Sequence, residues 1–163
     1  MTERVSRWGV GPRFVLPSMA YAGAAWFATR SWPDVCRLRW PPQAVLMSLG
    51  ALLIALGGLL WLTGLITVIR AYNRDQLRTS GVYAMVRHPV YSAWIVFMFP
   101  GGALFFQSWP MLAASLVAYT IFKLLIHRED ECLQRRYGRA YSDYRARVNE
   151  VCPFPWLWKR SSR

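Results

Sequence analysis

The chain reads as an all-α integral membrane protein: about four transmembrane helices plus a C-terminal interfacial amphipathic helix, in one domain over residues 1–163. Three observations predict this class. Hydrophobic residues make up 55% of the chain and aromatics 15%, yet mean hydropathy is only +0.18, so apolar and polar residues are segregated rather than mixed. Long uncharged runs alternate with arginine-dense stretches, as spans alternate with their flanks. The net charge of +12 also sits beside those runs, at Arg70, Arg74, Arg78 and Arg87 and again from Arg128 onward, where anionic headgroups attract it. Nucleic acid is the other partner such a charge suggests, but no recognition motif accompanies it, and no nucleic-acid binding is expected.

The first apolar run, residues 14–29, is close to the shortest that crosses a bilayer. It follows Arg4, Arg7 and Arg13, as a signal peptide would. Trp26 and Phe27 near its end, and the want of a small-x-small cleavage site, predict a retained helix instead. Residues 30–42 hold Pro33, Pro41 and Pro42 with Trp32 and Trp40. Proline breaks helices and tryptophan favours the headgroup layer, so this is an interfacial connector. The second run, 44–69, is uncharged and long enough to cross with tilt. Its Gly50, Gly57 and Gly64 recur every seven residues, near one face, where small side chains admit a close helix neighbour.

The third run, 90–106, contains Pro100-Gly101-Gly102, which should kink or loosen it. A tight turn at 107–110 leads into the fourth run, 111–126. From 127 to 148, Leu133, Tyr137, Tyr141, Tyr144 and Val148 recur at spacings of three and four. That stripe on an otherwise charged helix should lie on the membrane surface or cap the bundle. Gly138 is expected to weaken it by about 1 kcal/mol relative to alanine. The closing segment from Phe154 to Arg160 reads as an aromatic, basic interfacial anchor. A hairpin made of the third and fourth runs puts segments 75–91 and 127–163 on one side. Their basic character makes that side cytoplasmic, together with both termini. Arg30, Arg37 and Arg39 fall on the opposite side, against that bias.

The polar insert from Leu77 to Tyr91 carries His88, one of two histidines in the chain. Ionisable groups held against a bilayer are costly and usually persist because they bind something. Arg87 and His88 can meet an anion, and Pro89 fixes the backbone at a helix head whose free N–H groups favour negative charge. Tyr83 and Tyr91 can wall a ligand or donate a phenolic hydrogen bond, and Glu129 supplies a carboxylate at the exit of the fourth run. Each also has a plainer reading. Arg87 suits a lipid headgroup, His88 a helix cap, Glu129 a solvated run with Arg128, Asp130 and Glu131, and Tyr141 and Tyr144 packing. Cys36, Cys132 and Cys152 form no CxxC pair, and two histidines do not make an ordinary zinc site, so no metal is expected.

Two ordered patterns join these residues: Thr79-Ser80-Gly81-Val82-Tyr83 followed by Arg87-His88-Pro89-x-Tyr91, then Glu129, Leu133, Tyr137-Gly138, Tyr141 and Tyr144. Together they resemble the isoprenylcysteine carboxyl methyltransferase family and the related small phospholipid methyltransferases, over roughly the C-terminal half. The resemblance implies S-adenosylmethionine as cofactor, entering from the cytoplasm. It implies a pocket lined by Gln76, Leu77, Arg78, Tyr83, His88, Pro89, Val90, Tyr91 and Glu129, with Arg87 and Asp130 in the same segments. Arginine and histidine suit the carboxylate tail of that cofactor, a carboxylate its amino group or ribose, and apolar walls its adenine.

The chain departs from the family pattern at Ala93, where glycine is usual, and at Asp130, where a second glutamate is usual. Leu125 stands near the family's substrate-binding arginine, leaving Lys123, His127 and Arg128 as candidate substrate contacts. No Ser/His/Asp or Cys/His constellation is evident. Transfer to an acceptor that is already anionic needs chiefly alignment and exclusion of water. The expected acceptor is lipophilic, enters from the bilayer and carries a carboxylate of isoprenylcysteine type. The alternatives are a phospholipid or amine N-methyltransferase using a base such as His127, an NADPH-dependent sterol-type reductase with a similar Arg-His-Pro-x-Tyr block, and a non-enzymatic membrane scaffold.

Overall fold

The structure, a computed structural model, describes residues 11–74 and 77–153. Arg4, Arg7, Gln76 and the expected anchor at 154–160 lie outside the described residues. Helices α1 (Gly11–Ser31), α2 (Pro33–Cys36) and α3 (Gln43–Arg74) are followed by α4 (Val82–Met85) and α5 (Pro89–Ser92). A π-helical segment (Ala93–Met98) leads into α6 (Phe99–Phe105), then α7 (Trp109–Tyr137) and α8 (Arg139–Arg147). No strand forms among the described residues, and one isolated bridge pairs Arg37 with Ser108. Gln43–Arg70 of α3 and all of α7 are long and apolar enough to cross a membrane, while Pro89–Phe105 is a shorter apolar helix.

Helix α1 packs on α7 along one face, since Phe14, Ser18, Ala22, Ala25 and Thr29 are its buried residues. The buried hydroxyls are satisfied within the helix: Ser18 Oγ donates to the Phe14 carbonyl at 2.7 Å and Thr29 Oγ1 to that of Ala25 at 2.8 Å. Ala114, Ala118, Phe122 and Ile126 of α7 face the core, where Tyr91, Ile95 and Phe99 join them. Alternating small and large side chains in this way lets the layers interlock without voids.

Helix α3 approaches the 89–105 helix through its glycines, as their spacing predicts. A Cβ on Gly50 would lie 2.5 Å from the Phe105 nitrogen and 2.6 Å from the Gly101 carbonyl oxygen. On Gly57 it would meet Met98 Cγ at 2.9 Å, and on Gly64, Pro89 Cγ at 3.1 Å. The expected loosening at Pro100 takes a definite form. The helix widens to a π turn over Ala93–Met98, and the Phe99 N–H reaches back to the Trp94 carbonyl. Proline has no N–H and its ring crowds the preceding turn, so a wider turn just before it relieves the clash.

The C-terminal part holds two helices where the sequence predicts one over 127–148, lying on the surface or capping the bundle. Helix α7 runs unbroken to Tyr137, so residues 127–137 beyond the apolar run extend the fourth helix. Gly138, at φ 53°, then turns the chain into α8. That backbone region is one that side-chain-bearing residues rarely adopt, so the glycine ends a helix rather than merely weakening one. The apolar stripe turns inward: Tyr141 and Tyr144 are buried against the bundle end. The connector predicted at 30–42 holds the short α2 and a cis Trp40–Pro41 bond.

Candidate functional site

The site forms where α5 begins, where α7 leaves its apolar stretch, and where α8 and the segment after it fold back. Gly81, at φ 65°, starts α4 and lets the Thr-Ser-Gly-Val-Tyr segment turn. Pro89 opens α5 and locks its φ, which leaves His88 as the residue before the helix. The chain from Asn149 to Val151 runs alongside. Arg87 N–H donates to the Asn149 carbonyl at 2.8 Å and His88 N–H to that of Glu150 at 3.1 Å. Ser92 Oγ donates to the Val151 carbonyl at 2.6 Å. Asn149 in turn accepts the Val151 and Cys152 N–H groups on Oδ1, which fixes the bend.

At the centre is Asp130, 5% exposed, with Arg87 at 8% and His88 at 6%. Arg87 Nη1 donates to Asp130 Oδ2 at 3.2 Å and to the Tyr141 hydroxyl at 3.3 Å, while Tyr141 donates to Asp130 Oδ1. His88 Nε2 stands 3.3 Å from the same Oδ1 but off the line of a hydrogen bond. Arg145 approaches Asp130 Oδ2 at 4.0 Å. Burial would push the Asp130 carboxyl up, but His88, the Tyr141 hydroxyl and the Arg87 guanidinium more than reverse it. The result lies well below the usual carboxylate range. Burial and the Asp130 charge push the Tyr141 phenol up.

Glu129 faces a different environment. It is half-buried, and the Tyr91 hydroxyl donates to its Oε2 at 3.4 Å. Burial raises its carboxyl above the ordinary value, and the neighbouring Asp130 charge adds to the rise against the opposing pull of His88. Tyr83 is half-buried near this carboxylate, and burial and the Glu129 charge both raise its phenol. The two adjacent carboxylates are thus pushed apart, Asp130 below its ordinary value and Glu129 above it. Phe14, Tyr91 and Phe122 wall this end, with His88 edge-on to Phe122 at 5.5 Å between ring centroids. Tyr144, whose phenol burial pushes up to about 12, donates to the Tyr83 carbonyl at 2.7 Å and ties α8 to the 77–88 segment.

The structure therefore gathers Arg87, His88, Tyr91, Glu129 and Asp130 into one buried cluster, with Pro89 and Val90 packed against Gly64 beside it. Leu77 and Arg78 are half-buried in the same polar segment. Of the candidate substrate contacts, Lys123 is tied to the cluster through Glu150, whose Oε2 is 2.7 Å from its Nζ and whose Oε1 is 3.7 Å from Arg87 Nη2. His127 and Arg128 are exposed on α7. Sequence reading passed over Asn149 and Glu150 and assigned Tyr141 and Tyr144 to packing. The available signal was Glu150 itself, one of eight acidic residues in a chain with twenty basic ones.

Three buried nitrogens in this region, Arg78 Nε, Arg87 Nε and His88 Nε2, have no hydrogen-bond partner among the described residues. Burying a donor without a partner costs about 1–3 kcal/mol, so such groups point to something that satisfies them. An anionic ligand with several acceptors fits that set, and a carboxylate-bearing cofactor is one.

An all-helical chain with apolar helices and a buried Arg–His–Asp–Glu cluster at one end defines a class of helical protein with an enclosed polar site. The family model for isoprenylcysteine carboxyl methyltransferases matches residues 44–135, more than half of the chain and most of the cluster. The chain belongs to the isoprenylcysteine carboxyl methyltransferase family. It is 33% identical over 89 residues to a probable protein-S-isoprenylcysteine O-methyltransferase of Oryza sativa subsp. indica, covering 53% of this chain and 47% of that protein. It is 30% identical over 114 residues to protein-S-isoprenylcysteine O-methyltransferase B of Arabidopsis thaliana, covering 64% and 58%. With the Tribolium castaneum protein-S-isoprenylcysteine O-methyltransferase it shares 24% over 152 residues, covering 88% and 52%. The chain thus spans about half the length of these relatives. A solved eukaryotic intramembrane Ras methyltransferase shares its fold, with a TM-score of 0.64 over 88% of this chain and 53% of that one, at 24% identity.

Proposed function

We propose that this chain is a membrane-embedded, S-adenosylmethionine-dependent methyltransferase acting on a lipophilic acceptor with a carboxylate of isoprenylcysteine type. Family membership and the activities of its relatives support the reaction. They do not favour the reductase, N-methyltransferase or scaffold readings. The single observation that carries the site is the buried cluster, in which Arg87 Nε has no hydrogen-bond partner among the described residues and His88 Nε2 meets Asp130 only off the line of a hydrogen bond. When bound, the cofactor supplies a methyl group on a sulfonium, which an anionic oxygen attacks directly.

The residues have separable roles in this reading. Arg87 and His88, with Arg78, hold the cofactor's carboxylate tail; Glu129 takes its amino group or ribose; Tyr91, Phe122 and Val90 form apolar wall. Asp130 and Tyr141 keep Arg87 in place. Lys123, partly exposed and paired with Glu150, is the cation offered to an acceptor carboxylate. A carboxylate is already ionised at neutral pH, so no strong base is needed, and the protein contributes alignment and a dry site. In this reading α1, α3, the 89–105 helix and the apolar part of α7 are four spans, and the basic flanks of the sequence support a cytoplasmic placement of this end of the bundle.

The test is calorimetry of the detergent-purified full chain with S-adenosylmethionine or its demethylated product. Micromolar binding is expected, and its loss in His88→Ala and in Glu129→Ala. Unchanged affinity in both variants removes the site assignment. Incubation with radiolabelled S-adenosylmethionine and either a prenylated cysteine or an aminophospholipid then reads the acceptor. Label on the lipid amine overturns the carboxylate.

A further inference from the structure

Two cavities lie at the other end of the bundle, between the C-terminal end of α1, α2, the start of α3 and the turn from α6 to α7. The larger, about 510 Å³, is lined by Trp26, Arg30, Arg37, Met47, Phe105 and Gln107 among others. Its neighbour, about 470 Å³, shares Arg37, Gln43 and Gln107 with it. Volumes of this order suit a small molecule or a lipid headgroup with the start of its chain.

The frame around the cavity is firmly built. Gln107 is 4% exposed and sits at φ 54°, a backbone conformation that costs a side-chain-bearing residue of order 1–3 kcal/mol and persists only where surroundings enforce it. It holds the connector on both sides. Its carbonyl accepts Leu38 N–H at 2.7 Å, and its Oε1 accepts Arg37 Nε at 2.7 Å. Below it, Thr29 Oγ1 and Ser108 Oγ are 2.7 Å apart, and Trp109 Nε1 donates to the Val35 carbonyl at 2.7 Å. The bond on Nε fixes the Arg37 side chain and leaves the outer edge of its guanidinium for another acceptor. Arg30 lines the same cavity from α1. Asp34 lines the neighbouring cavity, where Arg39 pairs with it at 3.0 Å, and neither Arg30 nor Arg37 forms an ion pair among the described residues.

We infer that this cavity is a binding site for an anionic phospholipid, whose phosphate sits on Arg30 and Arg37 and whose acyl chain runs along Trp26, Met47 and Phe105. The chemistry is matched in order: planar guanidinium groups for phosphate oxygens, then aromatic and thioether side chains at the end of apolar helices. It also gives a reason for arginines that run against the charge bias of membrane proteins. The inference rests on the membrane-embedded reading above but not on methyl transfer.

The full chain in nanodiscs of equal phosphatidylglycerol and phosphatidylcholine, released into native mass spectrometry, tests it without cofactor or acceptor. Wild type should retain phosphatidylglycerol at least about fivefold over phosphatidylcholine. Arg30→Ala/Arg37→Ala should bring the ratio near one, and the equal charge loss Arg135→Ala/Arg139→Ala at the other end should leave it unchanged. An equal ratio in wild type, or a preference that survives in the Arg30/Arg37 variant, overturns the site. Because Arg37 also holds the connector, a photoreactive phosphatidylglycerol on wild type gives an independent reading. Adducts should map to 26–47 and 105–107, and adducts confined to 77–91 overturn the proposal.

Discussion

Asp130 is the most buried carboxylate described in this chain, and it meets its partners almost out of water. Arg87 at 3.2 Å and the Tyr141 hydroxyl share its two oxygens with His88, and all three partners are buried. A buried ion pair gains little over an apolar substitute, but removing one partner strands the other and costs about 3–5 kcal/mol. Asp130→Ala is therefore expected to lower stability by about that amount, because Arg87 keeps only the neutral Tyr141 hydroxyl at 3.3 Å and the looser Glu150 contact at 3.7 Å. Tyr141→Phe removes one hydrogen bond from a carboxylate that keeps Arg87, and about 1–3 kcal/mol is expected. Thermal unfolding of both variants in detergent checks the order; equal losses would mean that Asp130 is not the hub. The adjacent Glu129 contributes differently, since among the described residues it carries the Tyr91 hydroxyl and no cation at hydrogen-bond distance.

At the scale of elements, α3 and the 89–105 helix touch backbone to backbone. A Cβ at Gly50 would fall within 2.6 Å of two backbone atoms, which cannot rotate away as a side chain can. Gly50→Ala is expected to cost about 1–3 kcal/mol through overpacking. Gly58, one residue from the contact line, has only Met98 Cε at 4.0 Å, so Gly58→Ala should stabilise by up to about 1 kcal/mol through helix propensity. Opposite signs in the melting temperatures of these two variants are the check. Gly138 has open space around it, so Gly138→Ala isolates the cost of its positive φ, about 1–3 kcal/mol, and should loosen α8 from Tyr83. Loss of limited-proteolysis protection in 139–147 reads that detachment.

These elements also divide what sequence reveals from what it does not. The seven-residue glycine spacing is a local period and maps directly onto a contact face. So does the motif from Gly81 to Tyr91, whose turn and proline set their own backbone. Gly138 was legible as a weak point only, because propensity gives a cost and not the sign of φ. Glu150 stood out only as a scarce acidic residue in a basic chain, and its role was out of reach. Its pairing with Lys123 and Arg87 depends on how the chain returns after α8, and no periodicity encodes that return.

Across the whole molecule, opposite-sign shifts in the adjacent carboxylates give stability a characteristic pH dependence. Glu129 has a folded value above its ordinary 4.5, so the folded state binds its proton more readily than the unfolded chain does. Acidification from neutral toward that ordinary value relieves a buried charge and should raise stability. Asp130 has a folded value below its ordinary 3.8, so its contribution is complete above that value and is lost as pH falls through the depressed one. The two windows barely overlap. Melting temperature is expected to rise modestly as pH falls from 7 toward about 5, then to drop steeply below about 4. Glu129→Gln should flatten the first limb and leave the second. The same variant should also abolish the proton release that accompanies binding of a cationic amino group beside Glu129, since only an acid that is partly protonated in the free protein has a proton to give up. Calorimetry of S-adenosylmethionine binding in two buffers of different ionisation enthalpy measures that release directly. Identical apparent enthalpies for wild type near pH 5 would place the ligand's ammonium away from Glu129.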